Sequence, residues 1–228
     1  MSSDPSKGQM ESAPGQSELA ETSERGRLIV VSAPSGAGKS TIIETVLPRI
    51  ERLRFSVSYT TRSARLTEVE GEDYHFVSES EFTAMINRGE FAEWAKVHGN
   101  LYGTALSSID DALANGDDII LDIDVQGADQ IRRRVTDSFT VFVLPPSIQA
   151  LEARLSKRNQ NTSDDFQFRI ANAAREVLRY EQFDYVIIND DLELAARTLE
   201  GIIRAERHRP SRMKARAQEI IETFGGNT

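Results

Sequence analysis

The 228-residue chain contains no cysteine and only three histidines. Without cysteine there can be no disulfide, no iron–sulfur cluster, no cysteine-ligated zinc and no thiol catalysis. No two of His75, His98 and His208 stand at the spacing of metal ligands, so we do not expect a histidine-rich metal site. A chain of this length is long enough to bury an apolar core of its own.

Long apolar runs are also missing. No run reaches the roughly 18 residues that a membrane span needs. Residues 1–26 contain no apolar signal-peptide core, and they carry five acidic residues against two basic ones. A transit peptide would be rich in arginine and poor in acids. We therefore expect a disordered N-terminal tail over 1–26 and a cytoplasmic protein.

Basic residues are outnumbered by acidic ones, 27 to 36, which gives a formal net charge of −9. Such a charge disfavours sequence-independent binding to a nucleic acid or to an anionic membrane. We therefore expect neither partner. An anionic ligand would have to be held by a local basic pocket and not by the overall field of the protein.

Short apolar runs alternate with helical patterns along most of the chain. The apolar runs are at 27–32, 118–122, 139–144 and 185–188. The helical patterns are at 40–50, 105–115, 126–135, 147–158, 165–182 and 191–208. This alternation predicts an α/β fold in three layers, with a central parallel sheet covered by helices on both faces.

Residues 58–104 interrupt that alternation, since they are rich in Thr, Tyr, Arg, Glu and Gly. The pattern indicates an inserted, partly antiparallel subdomain that contains one helix capped by Ser78, with Glu81 three residues later. A second polar interruption covers 159–165. The basic stretch from Arg204 onward is interpreted as a solvated helix and tail.

A glycine-rich loop follows the first apolar run. Residues 33–40 match the phosphate-loop pattern G-x-x-x-x-G-K-[ST], except that Ala33 replaces the first glycine. Gly36 and Gly38 allow backbone conformations that residues with a Cβ rarely adopt. The amides of such a loop, together with the N-terminus of the following helix, bind phosphate oxygens.

The same loop predicts a nucleoside triphosphate with Mg²⁺. Lys39 would reach the β- and γ-phosphates, and Ser40 would bind the metal. Asp122 ends another buried strand and is a candidate to hold metal-bound water. The loop alone does not distinguish a kinase from a GTPase, a motor or an ATPase.

Six spaced motifs closely resemble guanylate kinase from about Leu28 to about Arg207. They are SAPSGAGKST at 32–41, FSVSYTTRSAR at 55–65, GEDYHFV at 71–77, EFAEWA at 90–95, GNLYGT at 99–104 and LDIDVQG at 121–127. The resemblance implies Mg²⁺-dependent transfer of the ATP γ-phosphoryl group to GMP or dGMP, with ADP and GDP or dGDP as products. It implies an inserted GMP-binding subdomain and a small lid as well.

The resemblance assigns a role to each motif residue. Glu93 would accept from the guanine edge, with Asp124 and Ser58 on the remaining amine hydrogen and Thr104 donating to O6. The GMP phosphate would be bound by Arg62, Arg65, Tyr74 and Tyr102. ATP would contact Ala33, Pro34, Ser35, Gly36, Ala37, Gly38, Lys39, Ser40 and Thr41. The catalytic residues would be Lys39, Arg62, Arg154, Arg158 and Arg169, and the metal ligands Ser40 and Asp122.

The implied organisation has a guanylate-kinase-like domain at 27–208 and a basic C-terminal helix or tail at 209–228. Within the domain, the core would be 27–57, 105–150 and 166–208, the GMP-binding subdomain 58–104, and the lid 151–165. The lid loop from Lys157 to Ser163 lacks the Arg-Gly that often follows the first lid helix in the family.

Two alternatives stay open. One is a guanylate-kinase-like scaffold module that binds proteins without catalysis, although such modules generally have a degraded phosphate loop and this chain keeps Gly38, Lys39 and Ser40. The other is a related kinase with a different acceptor, such as a phosphorylated sugar. The sequence predicts neither the oligomeric state nor a preference between GMP and dGMP.

Overall fold

The computed structural model describes residues 25–97, 99–135, 137–156 and 163–225. Its strands are β1 (Leu28–Ser32), β2 (Leu53–Phe55), β3 (Ser58–Thr60), β4 (Tyr74–Phe76), β5 (Phe91–Val97), β6 (Asn100–Ala105), β7 (Asp118–Asp122), β8 (Ser138–Leu144) and β9 (Tyr185–Ile188). Its α-helices are α1 (Lys39–Val46), α2 (Glu79–Asn87), α3 (Leu106–Ala114), α4 (Val125–Arg134), α5 (Ile148–Ser156), α6 (Ser163–Glu176), α7 (Leu192–Arg207) and α8 (Lys214–Thr223).

The central sheet is parallel, with the strand order β2-β7-β1-β8-β9. Successive side chains of a strand point to opposite faces, and β1 is buried on both. Ile29 and Val31 pack with α1 and α7, whereas Leu28 and Val30 pack with α3 and α4. The predicted three-layer α/β fold is confirmed.

A second sheet has the order β4-β3-β6-β5, in which β3 and β4 are parallel and the other pairs are antiparallel. Helix α2 covers it through Phe82 and Met85, which pack with Phe91 of β5. The Ser78 hydroxyl caps α2 by accepting from the amide of Glu81 at 3.1 Å. Strand β5 lies at the edge of this sheet, next to α4.

Helix α1 ends at Val46 and is followed by a 3-10 turn, Leu47–Arg49, as the proline at position 48, late in the 40–50 pattern, predicts. Two other local features differ from the sequence prediction. Strand β2 was not predicted, because it has three residues and lies at the edge of the sheet with Phe55 exposed. The single helix predicted over 165–182 is instead α6 followed by a 3-10 segment, Val177–Gln182.

Basic residues of the C-terminal stretch form several ion pairs. Among them are Arg204 with Glu200, Arg207 with Asp118, Arg209 with Glu206, and Arg212 with Asp137. The side chain of Arg212 is only 14% exposed, so the interpretation of this stretch as solvated is wrong for Arg212. Among the helices of the described residues, none combines the length and apolar character that crossing a bilayer requires.

Candidate active site

The phosphate loop connects the carboxyl end of β1 to α1 at the centre of the parallel sheet, where α/β folds bind ligands. Gly36 and Gly38 have φ angles of 89° and 93°, in the left-handed region that favours glycine. A Cβ on Gly38 would lie 2.4 Å from Nδ2 of Asn189. Glycine at this position is therefore required by both backbone conformation and space.

The main-chain oxygen of Ala37 anchors the loop. It accepts from Nδ2 of Asn189 at 2.7 Å and from Nη1 of Arg154 at 3.0 Å. Nη2 of Arg154 also donates to the main-chain oxygen of Asn189 at 2.8 Å. Sequence reasoning missed Asn189. This residue directly follows β9, so it stands at the same carboxyl edge of the sheet as Asp122, the last residue of β7.

Asp122 contacts the side chains of two loop residues, Lys39 and Ser40. Its carboxylate accepts from the hydroxyl of Ser40 at 2.6 Å and forms an ion pair with Lys39. The ammonium of Lys39 also donates to the main-chain oxygen of Ile123 at 2.7 Å. Val31 of β1 pairs with Asp122 of β7, which is why the carboxylate stands beside the loop.

The side chains of Ser40 and Asp122 fit a magnesium ion. Mg²⁺ is a hard cation that takes one or two protein oxygens and completes its shell with substrate phosphates and water. A hydroxyl and a carboxylate in direct contact provide such a pair, and both residues line the cavity that contains the phosphate loop.

Glu93 lies on β5 and is only 4% exposed. Burial raises the pKa of its carboxyl to about 7, and the nearby charge of Asp124 acts in the same direction. The hydroxyl of Thr104 opposes this by donating to Oε1 at 2.7 Å. Asp124 is the N-cap of α4 and accepts from the amide of Gly127 at 2.8 Å.

Arg62 is held on an aromatic surface. Its guanidinium lies 5.4 Å from the ring centroid of Tyr74 and 5.8 Å from that of Phe76. It also donates twice to Glu68, at 2.8 and 2.9 Å, and these hydrogen bonds raise the pKa of Arg62. Arg65 is 69% exposed at its side chain and lies 3.8 Å from the same carboxylate.

Two adjoining cavities occupy the cleft between the two sheets. One has a volume of about 500 Å³ and is lined by Ser58 and Glu93, among others. The other has a volume of about 630 Å³ and is lined by the phosphate loop, residues 33–41. They share the lining residues Ser40, Tyr74, Val97, Tyr102, Asp122 and Asp124.

Two further charged residues of α6 line the phosphate-loop cavity. The Nε of Arg169 is buried and has no hydrogen-bond partner within the described part of the chain. Glu176 is half-buried, and its pKa is raised by burial and then by the charge of Asp124. Glu176 was not predicted from the sequence, and we find no signal there that identifies it. Arg158 lies outside the described residues, as do the rest of 157–162 and residues 1–24 of the predicted tail.

Comparison with known proteins gives one consistent result. The family model described as Guanylate kinase matches residues 25–206. The guanylate kinase of Syntrophotalea carbinolica is 44% identical over 197 residues, which covers 86% of this chain and 94% of the relative. The guanylate kinase of Xanthomonas euvesicatoria is 46% identical over 200 residues, covering 88% of this chain and 98% of the relative.

A solved structure agrees with these sequence matches. The crystal structure of guanylate kinase from Anaplasma phagocytophilum superposes with a TM-score of 0.72 at 33% identity. The match covers 90% of this chain and 98% of that chain.

Proposed function

Because the chain belongs to the guanylate kinase family, we propose that it transfers the γ-phosphoryl group of ATP to GMP or dGMP in the presence of Mg²⁺. The products are ADP and GDP or dGDP. The observation that carries this proposal is the pair of cavities that meet at Ser40, Tyr74, Tyr102 and Asp122. A nucleotide on the phosphate loop would there face a second one held beside Glu93.

Guanine suits the chemistry of the second cavity. Its N1–H and N2–H₂ groups are adjacent donors on one edge, and a carboxylate can accept both. Glu93 offers a buried carboxylate in this cavity, and Asp124 lines the same space. Adenine would leave such buried acceptors unpaired, which discriminates strongly between the two bases. Ser58 and Thr104 are proposed as further contacts to the base.

The GMP phosphate is proposed to bind near Tyr74. Tyr74 and Tyr102 line both cavities, and the guanidinium of Arg62 lies on the Tyr74 ring. Arg65 belongs to the same loop and is exposed. Bidentate guanidinium groups match phosphate geometry, and neutral tyrosine hydroxyls donate without adding charge. Binding of phosphate by Arg62 would compete with its present pair to Glu68.

Phosphoryl transfer requires alignment and charge neutralisation, so we propose no protein nucleophile. Lys39 and the loop amides bind the ATP phosphates. Bound Mg²⁺ would neutralise charge on the phosphate oxygens, with Ser40 and Asp122 as its protein ligands. Arg154, Arg158 and Arg169 are proposed to add positive charge as the cleft closes and excludes water.

A coupled assay of ADP formation that depends on the added acceptor tests the function directly. Purified full-length chain is supplied with ATP, Mg²⁺ and one acceptor at a time: GMP, dGMP, AMP, UMP or ribose 5-phosphate. Turnover with GMP or dGMP that far exceeds turnover with the others is expected. Turnover with none would favour the protein-binding scaffold, and preference for the sugar phosphate would indicate the alternative kinase. The cytoplasmic location stays a prediction.

A further inference from the structure

Strand β5 carries Glu93, and within the described residues only one of its edges is paired with another strand. Strand β6 pairs with one edge, whereas the other faces helix α4. There the side-chain amide of Gln130 donates from Nε2 to the main-chain oxygen of Trp94 at 2.7 Å. Its Oε1 accepts from the amide of Trp94 at 3.2 Å. Gln130 thus makes the hydrogen bonds that a neighbouring strand would make to the residue after Glu93.

The same helix also binds the strand on the other side of Glu93. Nη1 of Arg134 donates to the main-chain oxygen of Phe91 at 2.5 Å and lies 3.4 Å from that of Ala92. Gln130 and Arg134 are four residues apart and therefore share a face of α4. Glu93 is consequently flanked by two hydrogen-bonded attachments to one helix.

Gly127, three residues before Gln130, leaves room for the Glu93 carboxylate. A Cβ on Gly127 would lie 2.6 Å from Oε2 and 3.2 Å from Cδ of Glu93. Gly127 is part of helix α4 and its φ does not lie in the left-handed region, so the requirement here is for space and not for backbone freedom. Any larger residue would push the carboxylate away from the first turn of α4, where Asp124 is the N-cap.

We propose that Gly127 and Gln130 are positioning residues that determine base specificity. Through them, α4 fixes the Glu93 carboxylate relative to Asp124, which lies at the start of the same helix. The two acids proposed to face the guanine edge, Glu93 and Asp124, are then held in a fixed relative position before the substrate binds. This inference rests on the proposed function, since it concerns how the acceptor base is recognised, and it requires neither residue to contact the substrate.

Selectivity between GMP and inosine monophosphate, IMP, is the appropriate measurement. IMP keeps the N1–H but lacks the 2-amino group, so discrimination between the two depends on where the acids stand. A general weakening of the fold would lower kcat/KM for both acceptors alike and would raise the KM for ATP as well. A positioning role changes the GMP-to-IMP ratio and leaves the KM for ATP in place.

The first variant is Gln130→Leu, whose apolar side chain is one bond shorter than that of glutamine and makes neither of the two hydrogen bonds to Trp94. We expect kcat/KM for GMP to fall roughly tenfold, because losing a hydrogen bond changes free energy on this scale. The GMP-to-IMP ratio should fall with it, while the KM for ATP stays within about twofold. Arg133→Ala, an exposed side chain of the same helix, is the matched control.

The second variant is Gly127→Ala, for which we expect a larger loss of GMP selectivity since the added methyl group meets the carboxylate itself. Isothermal titration calorimetry measures GMP binding at equilibrium without any turnover. We expect weaker GMP binding in both variants and unchanged binding in Arg133→Ala.

Two results would overturn the inference. One is a GMP-to-IMP ratio in Gln130→Leu equal to that of the unsubstituted chain, and the other is an equal loss for GMP, IMP and ATP. If the unsubstituted chain phosphorylates GMP normally, these results remove only the positioning role. If the unsubstituted chain does not phosphorylate GMP at all, the proposed function falls and the inference falls with it.

Discussion

Asn189 and Ala37 connect the end of β9 to the phosphate loop. The side-chain amide of Asn189 donates to the main-chain oxygen of Ala37 at 2.7 Å, and Asn189 is only 5% exposed. The same Nδ2 lies where a Cβ on Gly38 would have to be, at 2.4 Å. The amide and the glycine are therefore complementary, and the loop conformation depends on a strand about 150 residues further along the sequence.

We predict that Asn189→Ala weakens ATP binding. The variant removes one of the two donors to Ala37, leaving Arg154 as the other, and opens space beside Gly38. Losing one hydrogen bond in a buried site should raise the KM for ATP roughly tenfold, with the KM for GMP nearly unchanged. Initial rates at varied ATP and saturating GMP measure this. Asp190→Ala, its exposed neighbour, is the control, and equal KM values for the two variants would contradict the prediction.

Lys39→Ala should abolish most activity and leave the fold intact. The ammonium contacts Asp122 and the main-chain oxygen of Ile123 at the mouth of the cleft, not the apolar core. Removing one fixed positive charge that stabilises the phosphoryl group during transfer lowers kcat by roughly a hundredfold to a thousandfold. Steady-state kinetics measure the loss of activity, and thermal unfolding checks that the fold is intact. Lys214→Ala on the exposed α8 serves as the comparison, and near-normal turnover of Lys39→Ala would remove the loop from the mechanism.

Much of the fold could be predicted because buried parallel strands give continuous apolar runs. Strands β1 and β7 are examples, since nearly every residue in them is buried. Strand β2 gives no such signal, because two of its three residues are exposed. The end of α1 at Val46 could be predicted, because Pro48 disrupts a continuing helix.

The site could be predicted only where function is carried by a short motif. Lys39 and Ser40 belong to such a motif, and Asp122 and Glu93 lie in motifs shared with the family. The contacts of Gln130 and Asn189 cannot be predicted in this way, because each contact joins residues far apart in sequence. In the sequence Gln130 is an ordinary polar residue of a helical pattern, and only folding brings it to Trp94.

The raised pKa of Glu93 predicts a pH dependence for GMP use. The buried carboxyl has a pKa of about 7 in the protein without substrate, and only its ionised form accepts both guanine donors. We expect kcat/KM for GMP to rise as pH increases through about 7. The GMP phosphate also titrates, near pH 6. Glu93→Gln, which we expect to be orders of magnitude less active, retains that substrate titration and lacks the carboxyl. A step near pH 7 in both profiles would show that Glu93 is not its source.

The same shift predicts that Glu93 limits stability at neutral and alkaline pH. Its folded-state pKa is raised from 4.5 to about 7, so the folded state binds more protons than the unfolded state between these values. Stability is therefore lost as pH rises through that window, by about 3 kcal/mol in total. Glu93→Gln should unfold at a higher temperature than the unsubstituted chain at pH 8, and at a similar temperature at pH 4. Equal differences at both pH values would contradict the burial argument.

Glu206 is a buried acid far from the cleft, and we predict that it controls stability without affecting catalysis. It is 1% exposed and is bonded to Arg27, Tyr185 and Arg209. Burial alone would raise the pKa of Glu206, but the bonds from Tyr185 and Arg209 and the charge of Arg27 hold it below its ordinary value. Arg27 directly precedes β1, so this cluster lies at the amino ends of the strands, opposite the phosphate loop.

Glu206→Ala should therefore destabilise the protein by about 3 kcal/mol, because it removes the buried carboxylate from the buried Arg27 and leaves that arginine only its longer pair with the exposed Asp137, at 3.5 Å. For a chain of this size the unfolding midpoint should fall by roughly 10 °C, with kcat and both KM values unchanged well below it. Since the folded-state pKa is lowered, the contribution of Glu206 should also be lost as pH falls below its ordinary value near 4.5.

Glu193→Ala is the matched control, because Glu193 lies on the same helix and contacts two arginines but is 49% exposed at its side chain. Exposed pairs contribute little, so a drop in the midpoint of Glu193→Ala as large as that of Glu206→Ala would show that burial is not the cause.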